Sequence, residues 1–399
     1  MNIDFYKKYL QEAKDFRFEL YTNFARSNHI DDAEKATFVA MYLLYQAHKY
    51  NCLDLSIEET FDKLYSILNE HFSAKNNPII YSDCYNFIAK LKVLTSECLS
   101  ENAWPHLKTV SKQYSINAIR TSTLLFDYTK FKDGRLIVPA SVNRLVSRIL
   151  DVDTKEELLN IYSGIGNYLV YENAVNEKIN FIGVEPDENA CLLAAMKSTV
   201  LDKYIKLYDY SPFQLLESAK DQKYAKIFTT CPFGYQLDYL IERFYLVKNP
   251  YFLSLIPESN HIDYAAEWIY NILTCNLLKQ NGKAVSLMPK ALLNDQTNII
   301  IRKTLIEQGL IQSVIDLPVK LFKNQNIDCV LIVFTKQPNS IIHMADAETI
   351  FSQNYGEFDL SEEDIEAVVH LSECDTSHSH SIKREDLKNY DLNPQTYLK

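Results

Sequence analysis

Leu158-Leu159-Asn160-Ile161-Tyr162-Ser163-Gly164-Ile165-Gly166-Asn167 decides how this chain folds. A short apolar run, of strand rather than helix length, ends in two glycines one residue apart, and a helical segment opens directly behind them. Glycine is scarce, 8 residues in 399, so a pair within one turn is informative. Lacking a Cβ, such a turn can take left-handed backbone conformations and come close to a ligand. Strand, glycine turn and helix form the opening unit of a doubly wound α/β sheet, which binds nucleotides at the carboxyl ends of its strands. By itself the pattern is weak, because GxG also serves as a plain tight turn in many proteins.

From about residue 135 onward, short apolar runs alternate with amphipathic helices, as a doubly wound sheet requires. Strands are expected at Leu158 to Tyr162, Phe181 to Glu185, Ile205 to Tyr208, Lys226 to Thr229, Ala284 to Met288, Ser313 to Asp316 and Cys329 to Phe334. Ala265, Trp268, Ile269, Ile272 and Cys275 form the clearest helical stripe of this half, and Asn281-Gly282 is expected to end that helix. Leu317 to Asp328 lacks helical periodicity, so the last two strands are expected to pair as a long antiparallel hairpin at one sheet edge.

Upstream the period is helical. Ser56 with Glu59 makes a capping box, followed on one face by Ile57, Phe61, Leu64, Leu68 and Phe72. Asp31 with Glu34 opens a second segment through Phe38, Val39, Tyr42 and Tyr45, and Phe87, Ile88, Leu91 and Leu94 mark a third. Such stripes mean bundle core more often than a cofactor site. The expected organisation is a helical module over residues 1–130, an α/β domain over 131–340, and a polar, acidic, partly helical extension over 341–399.

Composition excludes several classes. Hydrophobic residues at 47% and charged residues at 23% are those of a globular chain, neither collagenous nor disordered. A formal charge of -11 argues against a free-standing coat for nucleic acid, so DNA or RNA would need a local basic face or a basic partner. MNIDFYKKYLQEAKDF lacks a signal-peptide core, and nothing approaches the roughly eighteen apolar residues of a membrane span, so a cytoplasmic location is expected. The cysteines occur singly without a CxxC pair, and His378 and His380 lie in a Ser-rich loop that reads as solvated; no metal site is expected.

Two further strand ends sharpen the glycine turn. Glu185 closes the second strand about twenty residues beyond the glycines, where a carboxylate accepts both ribose hydroxyls of an adenosine, and Asp209 closes the third, where it can accept from the adenine amine. Taken singly each is an ordinary solvated loop acid; together with Gly164 and Gly166 they favour an adenosine-bearing cofactor. The fourth strand leads into Thr229-Thr230-Cys231-Pro232-Phe233-Gly234. Without further context this is a strand-end turn with a buried Phe. A Cys231 thiolate attacking a pyrimidine ring carbon is a weaker alternative, since neither His nor a basic residue flanks it to lower its pKa.

At this turn the chain resembles the N6-adenine DNA methyltransferases, and specifically the modification (M) subunit of type I restriction-modification systems. That family carries Asn-Pro-Pro-Phe/Tyr here, often followed by Gly. Phe233, Gly234 and the second proline, Pro232, match, whereas Thr230 stands for the Asn and Cys231 for the first Pro. The likeness extends over about residues 134–399. IVPASVNRLVSRIL is similar to the Thr-Pro segment before the cofactor loop, with Val138 for the Thr. Asn281 to Pro289 resembles the "GGRAAVVLP" strand, Ile301 to Phe334 its hairpin, and IKREDLKNYDLNPQTYLK its tail.

The resemblance implies a class I methyltransferase-like doubly wound α/β fold using S-adenosylmethionine, with Asn160, Gly164, Gly166, Glu185 and Asp209 as cofactor-binding residues. It implies that Thr230 and the Cys231 carbonyl would hold the adenine amine, beside Pro232, while Phe233 stacks on a base flipped out of the duplex. Of the family's Asp-Pro-x-Cys-Gly-Thr-Gly-Gly loop only the two central glycines remain, so cofactor binding is expected to be weakened, and Asn160 brings no charge for the cofactor's ammonium group. The implied partners are DNA, reached through a specificity subunit, and a restriction subunit. Two functions stay open: a working adenine methyltransferase, and a catalytically degraded homologue serving as a structural or regulatory subunit. Tyr390, Leu392, Tyr397 and Leu398 crowd the terminus and are expected to anchor the specificity subunit, the alternative being that they fold back onto this chain's own helices.

Overall fold

The computed structural model describes residues 3–26, 32–73, 84–127, 136–152, 156–175, 180–202, 205–218, 222–237, 249–255, 264–322, 327–337, 339–354 and 357–398. The chain divides into two compact units, Met1–Lys130 with Gly164–Lys178 and Glu185–Asp209 in one, Phe131–Ser163 with Ile179–Val184 and Tyr210–Lys399 in the other.

The first unit is helical except for one short strand. Its amino-terminal part holds α1 (Ile3–Glu19), which runs into a π-helical turn at Leu20–Arg26, then α2 (Ala33–Lys49), α3 (Ile57–Ser73), α4 (Cys84–Cys98), α5 (Trp104–Ser111) and α6 (Ile116–Leu124). Phe38 through Leu44 are buried without interruption, so α2 is a central helix with little solvent face. The capping box at Ser56 forms: its amide donates to Glu59 Oε2 at 2.8 Å and Glu59's amide to Ser56 Oγ at 3.2 Å. For α2 the cap is Asp32, one residue beyond the expected Asp31, and its carboxylate accepts the Lys35 amide. Ile57, Phe61, Leu64 and Leu68 are buried as their spacing requires, as are Phe87, Ile88, Leu91 and Leu94 on α4; the side chain of Phe72 lies outside the described residues. The same unit contains α8 (Asn167–Val175) and α9 (Glu188–Leu201), the helices behind the glycine turn and behind Glu185. A buried polar seam joins α2 to α9, where Tyr42 and Gln46 both hydrogen-bond the Thr199 hydroxyl, at 3.0 and 3.2 Å.

In the second unit the large sheet runs in the order β11-β8-β6-β7-β5-β4-β1-β2, with β1 (Glu157–Ile161), β2 (Asn180–Val184), β4 (Tyr224–Thr229), β5 (Leu278–Pro289), β6 (Ile311–Asp316), β7 (Cys329–Thr335), β8 (Ile341–Asp346) and β11 (Ser379–Lys383), while the short β3 (Lys206–Tyr208) belongs to the first unit. A separate small hairpin is made by β9 (Ser352–Asn354) and β10 (Glu357–Asp359). In the second unit β1 pairs in parallel with β2 and β4, and β4 with β5. Leu158, Leu159 and Ile161 on β1, and Ile227 and Phe228 on β4, are buried on both faces, as the interior of a parallel sheet demands. Register places Ile161 level with Val184 and with Thr229, so three parallel strands end together and their following loops leave by one edge.

Three expectations need correction. β6 and β7 are antiparallel, but not at an edge: β7 lies between β6 and β5, pairing Leu331 with Leu287 on one side and with Ile315 on the other. Residues 341–399 are more than a partly helical tail, because β8 and β11 extend the sheet beyond β6. The helix Ala266–Leu277 gives way to β5 at Leu278, so Asn281-Gly282 lies inside the strand, where a Cβ on Gly282 would come within 2.8 Å of the Ala225 carbonyl. The glycine there permits close strand approach rather than ending a helix.

The terminus also folds back. Leu392 is 0% exposed and its amide donates to the Leu293 carbonyl at 3.1 Å, while buried Arg302 donates to the Tyr390 carbonyl and to Asp295. Tyr390 donates to Glu307 and Tyr397 to the Asp391 carbonyl. These apolar residues have partners within their own chain, so their crowding at the terminus does not mark an uncovered docking surface.

Candidate methyltransferase site

The glycine turn follows β1 as the sequence suggested. Gly164 and Gly166 both take positive φ, +55° and +77°. Their reasons differ: among the described residues a Cβ on Gly164 would meet nothing within 4 Å, whereas one on Gly166 would lie 3.2 Å from the Ala194 side chain of α9. Gly164 thus leaves its main chain uncrowded by any described residue, and Gly166 allows the turn to sit close on α9.

Glu185, at the end of β2, is 0% exposed. Its Oε2 accepts the Gly164 amide at 2.9 Å and its Oε1 the Asp187 amide at 2.8 Å. The carboxylate therefore joins the glycine turn to the start of α9, whose amino end Asp187 caps through the Ala190 amide. Asp209 is exposed, with Lys90 Nζ 3.7 Å from its Oδ2. Asn160 is buried on β1 and its amide donates to the Phe228 carbonyl of β4 at 3.1 Å, a use internal to the sheet. Ser163 Oγ is buried with no hydrogen-bond partner among the described residues.

Behind the turn, Lys197 of α9 is wholly buried; its ammonium nitrogen donates to the Phe126 carbonyl at 2.8 Å and to Asn167 Oδ1 at 2.6 Å, and Asn167 Nδ2 donates to Asp127. Desolvation lowers the Lys197 pKa to about 7, with Asp127 opposing the shift.

In the second unit the turn after β4 is held at its start by Tyr162. The Thr230 amide donates to the Ile161 carbonyl at 3.1 Å, and the Thr230 hydroxyl to the Tyr162 carbonyl at 2.8 Å. Tyr162 itself has φ +58°, a left-handed conformation costing about 1–3 kcal/mol at a bulky residue. Its hydroxyl meets that of Tyr270 at 2.6 Å, with the rings edge to face at 5.0 Å, and the Tyr235 ring lies edge to face with it at 6.4 Å. Cys231 and Pro232 are buried, Phe233 is partly exposed, and Gly234 has φ +65°. Sequence reasoning marked neither Tyr162 nor Tyr270: a left-handed backbone and a partner more than a hundred residues away leave no local pattern. Glu267, whose Oε1 accepts the Gly234 amide at 2.8 Å, was also missed, since an acid in the first turn of a helix reads simply as a complement to the dipole.

A further acidic group, Asp316, Asp346 and Glu348, brings carboxylate oxygens within 4.8 Å of one another. Lys290 pairs with Asp316 and supplies positive charge there.

A doubly wound sheet with a glycine turn behind its first strand is a class I methyltransferase-like fold. The N-6 DNA Methylase family model matches residues 123–399, and the chain belongs to that family. Among solved structures it is similar to the methyltransferase subunit of a type I restriction-modification system from Streptococcus thermophilus, with 16% identity, a TM-score of 0.70 and 99% of each chain covered. A chain from a structure of type I restriction-modification complex assembly matches with 14% identity and a TM-score of 0.63, over 98% of this chain and 90% of that one. A putative class I S-adenosylmethionine-dependent methyltransferase from Listeria monocytogenes matches with 17% identity and a TM-score of 0.52, over 85% of this chain and 98% of the other. At these identities the likeness establishes a shared fold. No curated protein sequence matches this chain. Among the described residues no helix is long and apolar enough to cross a membrane.

Proposed function

We propose that the chain is a modification-subunit-type DNA methyltransferase acting on the N6 amine of adenine, directed to DNA by a specificity subunit and associated with a restriction subunit. Thr230 carries this reading. Its hydroxyl hydrogen is committed to the Tyr162 carbonyl, so the lone pairs of the same oxygen are left to accept from a target amine. Adenine's amine is a poor nucleophile because its lone pair is delocalised into the ring; acceptors at Thr230 Oγ and at the Cys231 carbonyl would localise that pair. Phe233 would stack on the flipped base, worth about 1–3 kcal/mol.

S-adenosylmethionine would sit at the glycine turn, where among the described residues nothing crowds Gly164 and buried Ser163 Oγ has no hydrogen-bond partner. Bound there it would supply the electrophilic methyl group. Gly164 and Gly166 would lie against it, Asp209 would take its adenine amine, and Glu185 its ribose after releasing the Gly164 amide. Asn160, whose amide is spent on Phe228, would add little.

One observation favours a second reading. A ribose-binding carboxylate that is wholly buried with both oxygens on backbone amides suits a homologue that no longer takes cofactor and serves as a structural or regulatory subunit. Calorimetry with S-adenosylmethionine, followed by tritium transfer to adenine in DNA with the specificity subunit present, separates the two. Saturable binding and incorporation support the transferase. No binding at millimolar cofactor, with DNA association of the assembled complex intact, supports the structural subunit.

A further inference from the structure

The far end of the turn after β4 is pinned by a buried carboxylate. Gly234 is exposed and left-handed, and water could satisfy its amide; instead that amide donates at 2.8 Å to Glu267, a carboxylate only 3% exposed. Burying a carboxylate is expensive. Burial pushes the Glu267 carboxyl above its usual range, and the Gly234 amide together with its own backbone amide pulls it back only in part. The helix Ala266–Leu277 presents Glu267 and Tyr270 three residues apart, on neighbouring positions of one face. Tyr270 meets the Tyr162 hydroxyl, the Tyr162 carbonyl takes the Thr230 hydroxyl, and the chain then runs through Cys231, Pro232 and Phe233 to Gly234 and back to Glu267. One helix face thus closes a circuit around the turn, gripping it at both ends and leaving Phe233 between the grips.

We propose that Glu267 is a positioning residue for the target base: by fixing Gly234 it sets the direction in which Phe233 leaves the turn, and so the plane on which a flipped base stacks. The proposal rests on the transferase reading above and deepens it. Glu267 touches neither cofactor nor base in this account; it acts through Gly234.

The test compares Glu267→Met, of similar volume without an acceptor, with Glu267→Gln, which keeps one, in the full chain assembled with its specificity subunit. Glu267→Met should lower kcat for methyl transfer by about tenfold or more, with KM for S-adenosylmethionine unchanged, and Glu267→Gln should recover most of the rate. Hydrogen exchange in peptides covering residues 230–237 should quicken in Glu267→Met and return towards the parent value in Glu267→Gln. A folded Glu267→Met variant with parental kcat and parental exchange overturns the proposal, as does equal loss in both variants. If the parent transfers no methyl group, the transferase reading falls, and exchange alone decides whether Glu267 orders the turn.

Discussion

Glu185 Oε2 accepts the Gly164 amide at 2.9 Å, so the acid at the end of β2 and the first glycine behind β1 are bound to each other. With the Asp187 amide on its other oxygen, Glu185 is a structural clamp before it is anything else. Glu185→Ala should therefore lower the melting temperature without any cofactor, since two charge-assisted bonds at about 1.5–3 kcal/mol each are removed. In the transferase reading it should also weaken S-adenosylmethionine about a hundredfold by calorimetry. An unchanged melting temperature would show that the clamp adds no net stability.

Thr230 offers a sharper chemical test. Thr230→Val keeps the shape and deletes the oxygen, so tritium incorporation into adenine should fall to background, while Thr230→Ser should retain part of it. Thr230→Asn with Cys231→Pro should raise incorporation above the parent. If Thr230→Val keeps parental counts, the hydroxyl is no part of the amine clamp.

Lys197 makes stability depend on pH in a stated direction. Its folded pKa of about 7 lies below the ordinary 10.5, so across that window the unfolded chain binds a proton that the folded chain does not. Stability attributable to this group should rise with pH from about 7 to about 10, by at most about 1.4 kcal/mol per unit. Urea unfolding of the parent and of Lys197→Met at several pH values measures it: the slope should flatten in the variant. Parallel slopes would place the Lys197 pKa near its ordinary value.

The terminus should behave as core. Leu392→Ala removes a wholly buried side chain and should cost about 2–5 kcal/mol. Deleting residues 383–399 also removes the Tyr390 carbonyl that Arg302 holds, and should lower the melting temperature of the isolated chain by several degrees or prevent its folding. A truncated chain that melts with the parent would restore these residues to a partner.

The order of elements was open to reading because it rests on local rules. A period of two or of 3.6 residues, Ser56 three residues before Glu59, and glycines spaced for a strand-to-helix turn act over a few residues, and each recurs in the structure near its expected bounds. Likeness to the family was legible despite two replaced positions at residues 230–234, because it rests on the order and spacing of several segments over residues 134–399 rather than on that turn alone.

Sequence by itself thus determined the amino-terminal helical segments, the strands from β1 to β4 with β6 and β7, the glycine turn and the family, but neither the start of β5 nor the strands after residue 340. Only tertiary structure decided that β7 enters between β5 and β6, that β8 and β11 widen the sheet, that Glu185 is consumed by Gly164 and Asp187, and that Glu267 and Tyr270 grip the turn at 230–234. The physical reason is distance along the chain. An apolar strand pattern says that a segment will be buried but not beside which neighbour, and a carboxylate's role depends on which amides burial delivers to it. Those partners are chosen by the packing of the whole core, where no local period records them.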